Sequence, residues 1–111
     1  MNPDSFEAMM AAIQSFHDKH DFVNQGGEDM VYRLALMTEE LGEISECVTK
    51  GKTKSELAEE CADLMILLLG NAISADFDLK QAFWEKMEKI QNRGSKVVDG
   101  RIRVSNFKQD R

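Results

Sequence analysis

The sequence predicts an all-α protein, an antiparallel bundle of about four helices completed by self-association. Three observations carry this. Apolar residues recur at alternating spacings of three and four, the period of a helix with one buried stripe. Helix-start patterns stand at Thr53–Glu56 and Asp78–Gln81. A short polar turn at Gly51 and Lys52 folds one long periodic segment back on the next.

The first helix follows an Asn2 cap with Pro3 in its first turn. It carries Phe6, Met9, Met10, Ile13 and Phe16 or His17, and runs to about His20. Residues 21–29 hold Asn24, Gly26 and Gly27 and read as a connecting loop. The second helix has Leu34, Met37, Leu41, Ile44 and Val48 as its inner stripe and ends near Lys50, with Gly51 at the C′ position. Thr53 and Glu56 form a capping box for the third helix, whose inner stripe is Leu57, Cys61, Leu64 and Leu68. Beyond Asp63, the run Leu64–Leu69 is apolar on every side, and such a helix must be covered all round. A second subunit is the expected cover.

The fourth helix starts at Asp78 and Gln81, carries Phe83, Trp84, Met87 and Ile90, and frays near Gly94. Trp84 is expected in the core or in subunit packing. In Val97–Ile102, Asp99-Gly100 stands between apolar residues, a hairpin signal. The expectation is a single domain over residues 1–111, with a helical core at about 3–93 and a tail at 94–111 that forms a hairpin or an arm.

Composition narrows the function classes. The chain has 111 residues, 42% of them hydrophobic, and a net charge of −6. No segment has the pattern of a secretory leader, and the longest apolar run is too short to span a bilayer. The expectation is a soluble, cytoplasmic protein without membrane or stable nucleic-acid partners. Cys47 and Cys61 lack the spacing of a zinc or redox pair and read as small buried hydrophobes. Charge is uneven: residues 1–85 carry 6 basic and 17 acidic side chains, a balance of −11, whereas residues 86–111 carry 8 and 3, a balance of +5. A basic tail can neutralise an acidic body or supply cations for a phosphate-bearing ligand.

The chemistry is concentrated in two acidic clusters flanking the turn. Glu40 and Glu43 are i, i+3 on the second helix; Glu60 and Asp63 are i, i+3 on the third. In an antiparallel pair Glu40 stands level with Asp63, and Glu43 with Glu60. A lone Glu-x-x-Glu is usually a solvated surface. Four carboxylates at one height, sharing their sides with Leu36, Cys47 and Leu67, repel one another under weakened solvent screening. Either protons or a cation must neutralise them. An all-oxygen donor set suits Mg²⁺, or Mn²⁺ as substitute, better than zinc. A di-iron bundle would require Glu-x-x-His pairs, and His17 and His20 are preceded at that spacing by Gln14 and His17.

The order Glu-Glu-x-x-Glu, sixteen residues, Glu-x-x-Asp, an apolar run and a basic helix resembles the MazG-like all-α nucleoside triphosphate pyrophosphohydrolases. The likeness extends from Phe16-His17 to about Arg93. It implies Mg²⁺-dependent hydrolysis of nucleoside triphosphates, deoxynucleotides among them, to the monophosphate and pyrophosphate, in a nucleotide house-cleaning role. By this resemblance the metal ligands are Glu40, Glu43, Glu60 and Asp63, and Glu39 or Glu43 accepts the proton of the attacking water. Lys86, Lys89, Asn92 and Arg93 contact the triphosphate. His17 and Phe22, with Phe16 nearby, meet the base. The family forms dimers and tetramers, so a homodimer or tetramer is implied. Two alternatives stand beside this reading: a non-catalytic acidic helical module that binds a protein partner, and phosphoribosyl-ATP pyrophosphohydrolase-like chemistry.

Overall fold

The computed structural model describes residues 2–106 and is mainly helical. The chain divides into two compact units, with the boundary between Phe77 and Asp78.

In the first unit, α1 (Phe6–Lys19) begins later than expected. Ser5, not Asn2, is its cap: the hydroxyl accepts the Ala8 N–H at 3.1 Å, while Asn2 and Pro3 belong to the turn before it. Residues 21–29 are not all loop. They contain a one-turn helix, α2 (Phe22–Gln25), between two left-handed residues, Asp21 (φ 50°) and Gly26 (φ 77°). α3 (Met30–Thr49) starts at an Asp29 cap and stops at Gly51, whose φ of 61° favours a residue without Cβ. There the Lys52 N–H reaches the Cys47 carbonyl at 2.9 Å and the Gly51 N–H reaches that of Val48 at 3.3 Å, which closes the helix end. α4 (Lys54–Ser74) opens with the full capping box of Thr53 and Glu56, a feature worth about 1 kcal/mol.

α3 and α4 are antiparallel. Arg33, near the start of α3, meets Leu67 and Asn71 near the end of α4, while Glu40 meets Glu60 and Asp63. α1 packs on α4. Among the described residues, the buried positions are Ile13, His17, Arg33, Cys47, Leu69, Gly70, Asn71 and Ala72.

The expected inner stripes hold in part: Met37 and Ile44 of α3 and Leu57 and Leu64 of α4 are half-buried. Leu34, Leu41 and Val48 are exposed, as are Cys61 and Leu68, so Cys61 is not a buried hydrophobe in this chain. The inward row of α3 is Arg33, Leu36, Met37, Glu40, Ile44 and Cys47, which keeps Met37 and Ile44 and puts Arg33, Glu40 and Cys47 inside in place of their neighbours Leu34, Leu41 and Val48. Periodicity alone allowed either row, because α3 is apolar on two sides.

The second unit holds α5 (Leu79–Gln91) and an antiparallel hairpin, β1 (Gly94–Val98) and β2 (Arg101–Ser105). Asp78 caps α5 by accepting the Gln81 N–H at 2.9 Å. The Gln81 side chain bonds Glu85 rather than reaching back, so this capping box is half made. The helix ends at Gln91, before Gly94. Asp99 and Gly100, with φ of 50° and 78°, form the two-residue turn for which the Asp-Gly pair is suited. Residues opposite one another share a face, so Val97, Ile102 and Val104 lie on one side of the ribbon and Lys96, Arg101 and Arg103 on the other. Trp84 is 63% exposed and edge-on to Phe83, so it is not a core residue of its own unit. Among the described residues, no helix is long and apolar enough to cross a membrane.

Candidate active site

Two adjoining features of the first unit use the α3–α4 pairing. The first is acidic. Carboxylate oxygens of Glu40, Glu60 and Asp63 lie within 4.8 Å of one another, each residue half-buried. They meet because the turn at Gly51 sets these positions level and because all three side chains point toward the seam. Glu40 bears the strain: burial, then the charges of Asp63 and Glu60, push its carboxyl above the ordinary value of 4.5, with Glu43 adding least. Its Oε2 is buried and has no hydrogen-bond partner. Glu43 is exposed and stands outside the three-carboxylate group, and Glu39 is exposed one turn before it.

The second feature is a cavity of about 290 Å³ lined by aromatic and polar side chains, among them Phe16, His17, Phe22, Tyr32 and Arg33. His17 and Phe22 are brought together here, their rings stacked at 4.3 Å and 28°. Phe16 meets Phe22 edge-on at 5.3 Å. His17 is 3% exposed; burial first, and the Arg33 charge second, hold its imidazole below the ordinary 6.5, against the opposing pull of Glu28 and Asp18. Its Nδ1 has no hydrogen bond, and the nearest carboxylate, Glu28, is 3.9 Å away.

Arg33 was not among the sequence candidates, although it is the most buried large side chain, at 1% exposure. It donates from Nε to Asn71 Oδ1 at 2.8 Å, from Nη1 to the Gly27 carbonyl at 3.1 Å and from Nη2 to the Leu67 carbonyl at 2.8 Å. Asn71 in turn contacts Met37 Sδ at 3.1 Å. Gly70 makes room for this network: a Cβ there would fall 2.3 Å from Arg33 Nη2 and 2.9 Å from His17 Nε2. An arginine in line with Leu36, Met37 and Glu40 is the signal that the sequence offers for it.

The basic residues belong to the second unit. Lys86 and Lys89 on α5 and Asn92 at its end are exposed, whereas Arg93 is half-buried. Asn92 donates to the Glu88 carbonyl at 2.9 Å.

Residues 30–98 match the family described as the MazG nucleotide pyrophosphohydrolase domain, a span that takes in both acidic helices, α5 and the first strand. No curated protein and no solved structure matches the chain. With the match covering well over half its length, the chain belongs to the MazG nucleotide pyrophosphohydrolase family.

Proposed function

We propose that the protein hydrolyses nucleoside triphosphates, deoxynucleotides included, to the monophosphate and pyrophosphate in a divalent-metal-dependent reaction that clears unwanted nucleotides. Family membership supports nucleotide pyrophosphohydrolase chemistry. The observation that carries the metal dependence is the convergence of Glu40, Glu60 and Asp63 around an unpartnered buried oxygen. Hard oxygen donors with surplus negative charge fit Mg²⁺ or Mn²⁺, and these three residues would hold it, with Glu43 as a further ligand. When bound, such an ion supplies charge stabilisation and acidifies a water.

The remaining work falls to this chain's own side chains. Glu39 and Glu43, exposed on successive turns of α3, are the candidates to accept the proton of the attacking water. Phe16, Phe22 and His17 present ring faces and an imidazole edge to the base. Lys86, Lys89, Asn92 and Arg93 offer donors to the phosphate chain. Replacing Arg93 by Ala raises KM for the triphosphate several-fold with kcat retained; unchanged KM removes it from this role. Assembly as a homodimer or tetramer is part of the proposal, since Met65, Ile66 and Leu68 of the apolar run stay exposed in the single chain. Leu68→Asp then yields an inactive monomer; an active, stable monomer would refute it.

The central test is release of pyrophosphate from a panel of standard and modified nucleotides, with and without Mg²⁺, for the wild type, Glu40→Gln and Asp63→Asn. Activity that ignores both the metal and the two substitutions sinks the assignment.

A further inference from the structure

The cavity contains a fixed positive charge, and its presence admits two opposite interpretations. A guanidinium in a pocket wall usually announces an anion, which here would be the phosphate chain. The hydrogen bonds point the other way. Arg33 cannot shed its proton, so its burial must be met by acceptors. Three neutral ones meet it: the Gly27 carbonyl after α2, and the Leu67 carbonyl and Asn71 side chain of α4. The guanidinium is therefore pinned on all three of its nitrogens by protein, and it clips the α2 segment and α4 to α3.

Two consequences meet at His17. With a fixed cation beside it and only Glu28 and Asp18 opposing, the imidazole stays uncharged at neutral pH. Phe22 stacked on one face and the bare Gly70 backbone against its Nε2 edge hold the ring in one orientation. An uncharged imidazole has one N–H and one lone pair, so it can exchange a hydrogen bond with a neutral partner in either sense; an imidazolium could only donate. The Nδ1 atom, buried and unpartnered, is the polar atom left to be satisfied.

We propose that Arg33 is a positioning residue for base recognition, acting through His17 and the Gly27 carbonyl so that this cavity takes the uncharged face and edge of a nucleobase and not the phosphate chain. This rests on reading the cavity as the base site, and is independent of whether hydrolysis occurs.

The test follows the imidazole signals of His17 by NMR in the full chain without metal, across pH, adding deoxynucleoside monophosphates or inorganic pyrophosphate. The groups that face His17 are Arg33, Glu28 and Asp18, with His20 and Tyr32 also lining the cavity. The expected result is a ring that remains neutral to a pH below 6.5 and shifts saturably with at least one monophosphate but not with pyrophosphate. In Arg33→Lys and Arg33→Met, proton uptake by His17 moves to higher pH in the methionine variant. Affinity for the monophosphate falls about tenfold in both, the loss of one well-made hydrogen bond.

Should either variant fail to fold, the other decides the role of Arg33, while the wild-type titration decides which part of the nucleotide the cavity takes. Pyrophosphate shifting His17 as the monophosphates do, His17 charging at or above its ordinary value, or folded variants with wild-type affinity would each overturn the proposal. Triphosphate hydrolysis with His17 untouched by every monophosphate refutes it and leaves the hydrolase reading standing. Monophosphate binding through His17 without any pyrophosphate release does the reverse.

Discussion

The two features built on the α3–α4 seam solve the problem of buried charge in opposite ways. At Arg33 the hydrogen-bond partners are part of the fold: three neutral acceptors meet one cation. At Glu40 three carboxylates face one another and an oxygen is left without a partner. In the first arrangement each guanidinium nitrogen has a partner within the fold, whereas the second leaves an oxygen unmet. Polar networks satisfied internally hold a structure rigid, and those left short mark where a ligand enters.

The strongest way to break the comparison is to remove charge where it is surplus. Glu40→Gln or Asp63→Asn should lower kcat by about 100-fold or more, since the metal contributes several kcal/mol to the transition state and each factor of ten is about 1.4 kcal/mol. The same variants should melt no lower than the wild type in metal-free buffer and gain less from added Mg²⁺. A metal-free protein clearly destabilised by Glu40→Gln would mean that the cluster is structural.

Next in size is a change where the hydrogen bonds are already made. Gly70→Ala forces a methyl against the Arg33 guanidinium and the His17 ring and should cost about 1–3 kcal/mol of unfolding free energy, by denaturant titration. In an Arg33→Ala background the same substitution should cost less, because the nearer of the two clashes is gone and only the His17 ring remains close. Equal costs in both backgrounds would show that the close approach is unimportant.

The smallest effect sharpens the contrast through pH. His17 is held below its ordinary 6.5, so its contribution to stability is present above that pH and is lost as pH falls through the lower folded value. Glu40 is held above its ordinary 4.5, so its contribution is present below that pH and is lost as pH rises through the higher folded value. Acidifying the metal-free protein from pH 6.5 therefore weakens one region while relaxing the other. Thermal melts should show His17→Gln losing less on acidification than the wild type, and Glu40→Gln losing more. The opposite ordering would reverse the assigned directions.

Much of this was legible in the sequence. The capping box at Thr53–Glu56, the stop at Gly51 and the Asp99-Gly100 turn are local chemistry, and each stands where the residues demanded it. Level pairing across the turn was enough to bring Glu40 to Glu60 and Asp63, because only spacing and chain reversal are involved. The first-helix cap was misplaced because Asn2 and Ser5 are both capping residues and only the turn geometry chooses between them. On α3 the expected row holds at Met37 and Ile44 but not at Leu34, Leu41 and Val48, which form a regular stripe that the single chain leaves outside. Arg33 fell on the wrong side with it, since no local rule puts a permanent cation indoors. Its partners lie up to 38 residues away, and only tertiary structure reveals them.

Gly70 constrains two distant positions through what it lacks. Its bare backbone in α4 dictates what positions 17 and 33 are permitted to be. A descendant that acquires any side chain at 70 must surrender the guanidinium, the imidazole or the present course of the helix. These three positions are thus one heritable choice, open to exchange together but hardly one at a time.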